Sequence, residues 1–179
     1  MLGTACAARS PAVTSTSGTT TTAASAPTTT TTTSAPASTS TTGAVPAGAA
    51  ATVERVVDGD TIVLAGGERV RLIGVDTPET KDPRKPVQCF GEAASAHTSA
   101  LLPPGTAVRL EHDVEPRDRY GRTLAYVYRA SDGLLVNADL VASGFAQILT
   151  IPPNVAHVDE FRALQTEARE AGRGLWSAC

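Results

Sequence analysis

The stretch Val53-Glu54-Arg55-Val56-Val57-Asp58-Gly59-Asp60-Thr61-Ile62-Val63-Leu64-Ala65-Gly66-Gly67-Glu68-Arg69-Val70-Arg71-Leu72-Ile73-Gly74-Val75 decides the fold class. Val53–Val57 and Thr61–Leu64 are short and β-branched, and Asp58-Gly59 between them is a strong tight-turn signal. Ala65-Gly66-Gly67-Glu68 makes a second turn. Arg69–Val75 is a third strand with apolar side chains on both faces. That pattern suits a strand closed into a barrel better than one on an open sheet.

The rest of the chain extends this frame. Glu92–Leu102 reads as a helix ended by Pro103-Pro104-Gly105. Ala107–Glu111 and Thr123–Arg129 are two further strands, joined by the charged segment 115–122. Asn137 is expected to cap a short helix through Ser143, with Gly144 as its stop. Val158–Ala171 is the last helix. Phe161, Leu164 and Ala168 share one of its faces, and Gly172 ends it. Five strands with three α-helices between and after them predict an α+β β-barrel, small, closed and of the OB-fold type.

Composition sets the boundaries. Residues 14–50 are Thr, Ser, Ala, Pro and Gly except for Val45, and carry no charge. Such a tract buries too little apolar surface to offset the entropy of ordering. It is expected to be a disordered stalk spanning about 35 Å as a flexible coil. Ser/Thr tracts with Pro also invite O-glycosylation. Residues 1–13 resemble the end of an export signal, and the small residues before Cys6 resemble a bacterial lipoprotein cleavage site. A start codon assigned too far downstream would account for the missing basic and apolar regions. Residues 51–179 form the folded domain, which is expected to be secreted or attached to the outer cell surface. The membrane would be reached only through a lipid anchor at Cys6, since no stretch approaches the ~20 apolar residues of a span.

Removing Arg9 from the 15 basic residues leaves 14 against 18 acidic ones, a net charge of −4 after position 50. That balance argues against a protein that grips nucleic acid by bulk electrostatics, so any such activity must rest on a local site. Cys89 and Cys179 are the only cysteines in the domain. In an oxidising compartment they could close one long loop with a disulfide, worth up to ~4 to 5 kcal/mol in the chain-entropy model. Three cysteines with three scattered histidines make no zinc pattern.

Three polar islands flank the strands: Asp58–Thr61, Arg71–Thr80 and Asp118–Arg122. Asp60 opens one strand and Asp76 closes the next but one, so antiparallel pairing can bring them together at one barrel end. Two carboxylates with a backbone carbonyl and water suit a hard, oxygen-seeking cation such as Ca2+. Pro78 biases Thr77 to an extended backbone, which could turn its carbonyl to the ion. Asp-Gly-Asp by itself is more often a turn than a metal site. Arg71 interrupts an apolar strand, and a half-buried guanidinium needs acceptor oxygens. Glu79 could supply them at rest and a phosphate in a reaction. Arg122 follows Gly121 where a strand begins. Two arginines and a divalent cation can clamp charge developing on a phosphoryl group. Each arginine taken alone is better read as a structural ion pair.

Taken together the islands resemble the staphylococcal nuclease (thermonuclease) family. The matching strings are Val57–Thr61, Arg71, Val75–Lys81, Asp118–Arg122 with Leu124-Ala125-Tyr126, Gly91–Ala96 and Leu175-Trp176-Ser177. They run in order over nearly the whole domain. The resemblance implies a five-stranded OB barrel with three helices. It implies Ca2+ held by Asp60, Asp76 and the Thr77 carbonyl, with Arg71 and Arg122 on the scissile phosphate. Glu79 would act on the attacking water as general base or hydrogen-bond anchor. The substrates would be DNA and RNA, cut with little sequence demand to leave 3′-phosphate and 5′-hydroxyl ends. A monomer with no protein partner is expected. Tyr120 resembles a residue near the nucleotide's terminal phosphate. Arg84, Lys85 and Arg119 fall where the family lines its substrate groove with basic residues, or are simple surface charge. One departure is plain: the family's tyrosines near Gln147–Asn154 are absent, and Thr150, Ile151 and Pro152 occupy the region. Stacking is worth ~1 to 3 kcal/mol per base, so affinity or base preference should differ. The alternative is a catalytically weak or inactive nucleic-acid- or protein-binding module on the cell surface. Retention of Asp60, Arg71, Asp76, Glu79 and Arg122 argues against it.

Overall fold

The computed structural model describes residues 48–81 and 86–179. The tract before residue 48 with Cys6, and the groove candidates Arg84 and Lys85, lie outside the described residues. A closed barrel forms from β1 (Ala49–Asp58), β2 (Thr61–Leu64), β3 (Arg69–Leu72), β5 (Ala107–Glu111) and β6 (Thr123–Arg129), in the order β1-β2-β3-β6-β5. All neighbours are antiparallel except β3 and β6, whose parallel pairing completes the ring. β1 makes closure possible by changing partners along its length. Its first half pairs with β5 and its second half with β2, with register irregularities at Val53/Arg55 and Val56/Asp58. Such irregularities bend a strand and sharpen its twist. Ala49 and Ala50, which composition assigns to the stalk, pair with Leu110 and Arg109.

The expected strand 69–75 is two strands. β3 ends at Leu72, and β4 (Gly74–Asp76) leaves the barrel to pair with β7 (Gln147–Leu149). Gly74 makes the break. Its φ is +81°, and a Cβ there would lie 2.6 Å from the Phe161 ring. Only glycine serves both demands. The apolar character on both faces of 69–75, read as a barrel strand, reflects instead two successive environments.

Helices cover the barrel: α1 (Gly91–Leu101), α2 (Val136–Ala142), α3 (Val158–Glu170) and a short fourth, α4 (Leu175–Ala178), beyond the expected three. Phe161 on α3 and Leu140 on α2 join Ile62, Leu72, Val108 and Val127 of the barrel in one fully buried core. Asn137 does not cap α2. It sits inside the first turn, fully buried. Its Oδ1 accepts from Val127 N at 2.9 Å, and its Nδ2 donates to Ile73 O at 2.9 Å. It thus supplies the hydrogen bonds that the interrupted β3–β4 edge lacks, which a buried backbone requires.

Candidate active site

β3 ends beside the β1–β2 turn, and four predicted residues meet there. Asp60 is buried at the start of β2. Its Oδ2 accepts from Thr77 N at 2.9 Å and Thr77 Oγ1 at 3.1 Å. Arg71 Nη2 lies 3.1 Å from Asp60 Oδ2 and 3.1 Å from Asp76 Oδ1, so one nitrogen bridges both carboxylates. Arg71 Nη1 donates to the carbonyls of Leu72 and Val75, the latter at 2.8 Å. The half-buried guanidinium therefore finds its partners in Asp60 and Asp76, where the sequence suggested Glu79. The two carbonyls are available because the chain folds back at Gly74.

The close approach of this turn depends on Gly59. A Cβ at that position would lie 2.7 Å from the Thr77 side chain, while Gly59 O accepts a 2.7 Å bond from Thr98 Oγ1 on α1. The turn is pinned from both sides.

Negative charge accumulates around Arg71. Burial, reinforced by the charge of Asp60, pushes the Asp58 carboxyl up to about 6. Burial also raises the Asp76 carboxyl, Asp60 and Glu79 raise it further, and Arg71 opposes them. Glu79 is thus close enough to act electrostatically on Asp76. Its own segment is tied down: Glu79 N donates to Gln88 Oε1 at 2.8 Å, Gln88 N donates to Glu79 O at 3.0 Å, and Glu79 Oε1 accepts from Lys81 N at 2.6 Å. Hard oxygen donors, convergent and in excess of the one guanidinium, fit a hard divalent cation. Among the described residues no cluster of three or more His, Cys, Asp or Glu side chains is placed to hold a metal. A site here would rest on the Asp60–Asp76 pair, with Thr77 and water.

Arg71 also faces a groove of about 500 Å3 shared with Arg122, Asp118, Arg119 and Tyr120. β6 brings Arg122 alongside, because Arg71 pairs with Leu124 two residues further on. Asp118 holds the guanidinium in place. Its Oδ2 accepts from Arg122 Nε at 2.7 Å, and its Oδ1 accepts from the amides of Arg122 and Tyr120 at 2.9 Å each. Burial works against the Asp118 carboxylate, but these bonds outweigh it and hold its carboxyl below the ordinary range. The two amino nitrogens of Arg122 have no protein partner among the described residues and remain available to a ligand. Tyr120 is 69% exposed, with the Arg119 guanidinium 4.8 Å and that of Arg122 5.6 Å from its ring centre.

Where the tyrosines expected of the family are missing, Leu149 and Ile151 line the groove. Asn154 ties this side to the segment before Asp118 through two bonds with the Glu115 backbone, at 2.8 and 2.9 Å. The sequence assigns Asp58 only to a turn, and it gives Gln88, Asp118 and Asn154 no role of their own. Only Asp118 left a readable signal, an acid four residues before an arginine across a Gly turn.

Residues 69–178, which carry Arg71, Asp76 and Arg122, match one family model, staphylococcal nuclease homologue. The chain belongs to the staphylococcal nuclease family. It is similar to the thermonuclease of Staphylococcus intermedius, 46% identical over 136 residues, covering 72% of this chain and 77% of that protein. The thermonuclease of Staphylococcus hyicus is 40% identical over 128 residues, covering 70% and 74%. Endonuclease YncB of Bacillus subtilis is 42% identical over 131 residues, covering 70% and 61%. As a member of the staphylococcal nuclease family, the chain is a nuclease that hydrolyses phosphodiester bonds of nucleic acid. Its nuclease fold accounts for both arms of the site: the Asp60–Arg71–Asp76 cluster and the Asp118–Arg122 clamp share one rim of the barrel.

Proposed function

We propose that the protein is a secreted or surface-attached, Ca2+-dependent nuclease. It would cut DNA and RNA with little sequence specificity and leave 3′-phosphate and 5′-hydroxyl ends. The observation that carries the reading is Arg71, which bridges Asp60 and Asp76 at 3.1 Å while lining the same groove as Arg122. In that groove Arg71 and Arg122 bind the non-bridging oxygens of a phosphodiester from two sides. Arg122 offers its free amino nitrogens, held in aim by Asp118. As negative charge grows on the phosphoryl oxygens, both guanidinium groups bind more tightly, which lowers the barrier. Glu79 stands beside the acid pair, where its carboxylate can take a proton from, or orient, the attacking water. The 5′ oxygen leaves from the far side. Ca2+, when held by Asp60, Asp76 and Thr77, would neutralise phosphate charge and lower the pKa of a bound water. Arg119 and Tyr120 support the strand at the groove mouth. The Cys89–Cys179 disulfide is in keeping with an oxidising compartment.

The deciding experiment is digestion of plasmid DNA and of RNA by the pure protein with Ca2+ added or chelated, followed by analysis of the new ends. Activity that survives chelation removes the cation from the reading. Products with 5′-phosphate ends remove the direction of cleavage.

A further inference from the structure

A second groove adjoins the first. Building on the nuclease reading above, we propose that it is a subsite for a neighbouring backbone phosphate of the polynucleotide, bound by Arg69 with Arg117. The argument starts from β3, whose side chains alternate. Val70 and Leu72 are fully buried in the barrel, while Arg69 and Arg71 point outward. Two residues along a strand is about 7 Å. Val70 pairs with Thr123 in the parallel β3–β6 ladder, so Arg69 and Arg122, each one residue earlier, are neighbours on the outer surface. Arg69, Arg71 and Arg122 therefore form a single basic row across two strands, and only two of the three belong to the catalytic arrangement.

The groove beside Arg69 has a volume of about 500 Å3 and meets the catalytic groove at Tyr120 and Arg122, which line both. Three of the residues that line it are glycines. A Cβ at Gly66, Gly67 or Gly121 would meet nothing within 4 Å, so a ligand can approach the main chain. The Arg69 side chain is exposed and has no hydrogen bond or ion pair among the described residues. Arg117 is held by Gly121 O at 3.1 Å and by Glu68 Oε1 at 3.0 Å, with side chains 60% and 43% exposed in that ion pair. An exposed pair of this kind contributes at most ~1 kcal/mol. Arg117 can therefore turn part of its donor fork to a phosphate at small loss.

The charge of the domain gives such a subsite its reason. With net −4 after position 50, no bulk field draws a polyanion to the rim, and grip must come phosphate by phosphate. Within the row the acids are already engaged: Asp118 by Arg122, Glu68 by Arg117 and Thr123. That leaves Arg69 as a positive charge with no counterpart among the described residues.

The test compares two substrates of the wild-type and Arg69→Ala proteins. One is a mononucleotide aryl phosphodiester, which has a single phosphodiester. The other is a labelled single-stranded oligonucleotide. Arg69→Ala should raise KM for the oligonucleotide about tenfold, the loss of one charge-assisted contact, with kcat unchanged. For the ester, which has no second phosphate to lose, kcat/KM should stay at the wild-type value. The salt dependence of oligonucleotide KM should become shallower by ~0.7 in log–log slope. Arg69→Glu should raise KM further. Equal losses on both substrates would overturn the subsite, and so would an unchanged KM for the oligonucleotide. Should the wild type cleave neither substrate, the nuclease reading fails by itself. The subsite then stands or falls on anisotropy binding of the same oligonucleotide to wild type and Arg69→Ala.

Discussion

Individual side chains in this site carry more than one duty, and their substitutions should separate accordingly. Arg71, a phosphate ligand in the proposed reaction, is also the counter-charge for Asp60 and Asp76. Arg71→Ala should therefore lower stability as well as turnover. Arg122 is the cleaner probe, because its only ion pair among the described residues, with Asp118, lies at the rim. Arg122→Ala should reduce kcat by ~10³-fold or more with an unchanged circular dichroism spectrum, and a rate near wild type would remove it from the reaction. Asp58 gives a pH signature. Its carboxyl is raised from 3.8 to about 6 in the folded protein. The folded state thus holds the proton more firmly than the unfolded chain, and stability falls as pH rises through that window. Asp113 and Asp118 have lowered values, so the stability they add is lost only as pH falls below the ordinary carboxylate range. In metal-free buffer, Asp58→Asn should match wild type near pH 4. It should become steadily more stable than wild type up to about pH 6 and keep a constant lead above that. Urea denaturation across that range checks this; a difference independent of pH would sink it. At this scale the sequence was legible wherever a residue type is rare in its setting. An arginine in an apolar strand and acids around a turn stand out on inspection. Asp58 passed as a turn residue because turn chemistry explains Asp-Gly fully without its burial.

At the scale of elements, legibility ended where tertiary contacts override local pattern. The five barrel strands and three longer helices follow from period and turn signals. The break at Gly74 does not, since it depends on Phe161 arriving from α3, and β7 has no partner until β4 leaves the barrel. Asn137 looked like a cap because Asn favours caps, yet the interrupted ladder claims its amide. Asn137→Ala should strand Val127 N and Ile73 O in the core and cost about 2 to 4 kcal/mol, read as a lower denaturation midpoint. The segment bearing Glu79 is a second case. Gln88 closes it with two reciprocal bonds, and Gly91 at the start of α1 packs against it, with a hypothetical Cβ 2.7 Å from Thr80. Gln88→Met keeps the volume and removes the acceptor. It should lower kcat several-fold while leaving KM unchanged. It should add nothing in a Glu79→Gln background, because residues acting through one group are not additive. An equal loss in both backgrounds would show that Gln88 works by another route.

For the molecule as a whole, the same segment is tied to the chain's last residue. Cys89 follows Gln88 directly and is bonded to Cys179, 90 residues away in sequence. A loop of that length is worth ~4 to 5 kcal/mol in the chain-entropy model. The C-terminus does not depend on the disulfide alone. Leu175 N donates to Gly144 O at 2.9 Å, and Arg173 Nη1 donates to Ala142 O at 2.9 Å. The reduced protein should therefore remain folded at moderate temperature, with a melting midpoint lower by about 10 to 20 °C. Its kcat should fall more than its global stability at that temperature accounts for, since the bond relieved adjoins the residue that holds Glu79. Measuring turnover of oxidised and reduced protein well below both midpoints separates the two effects. A lowered midpoint with unchanged kcat would confine the disulfide to stability. A fall in kcat that vanishes in the Glu79→Gln background would make the oxidation state of the chain's end a determinant of its chemistry, transmitted through Gln88.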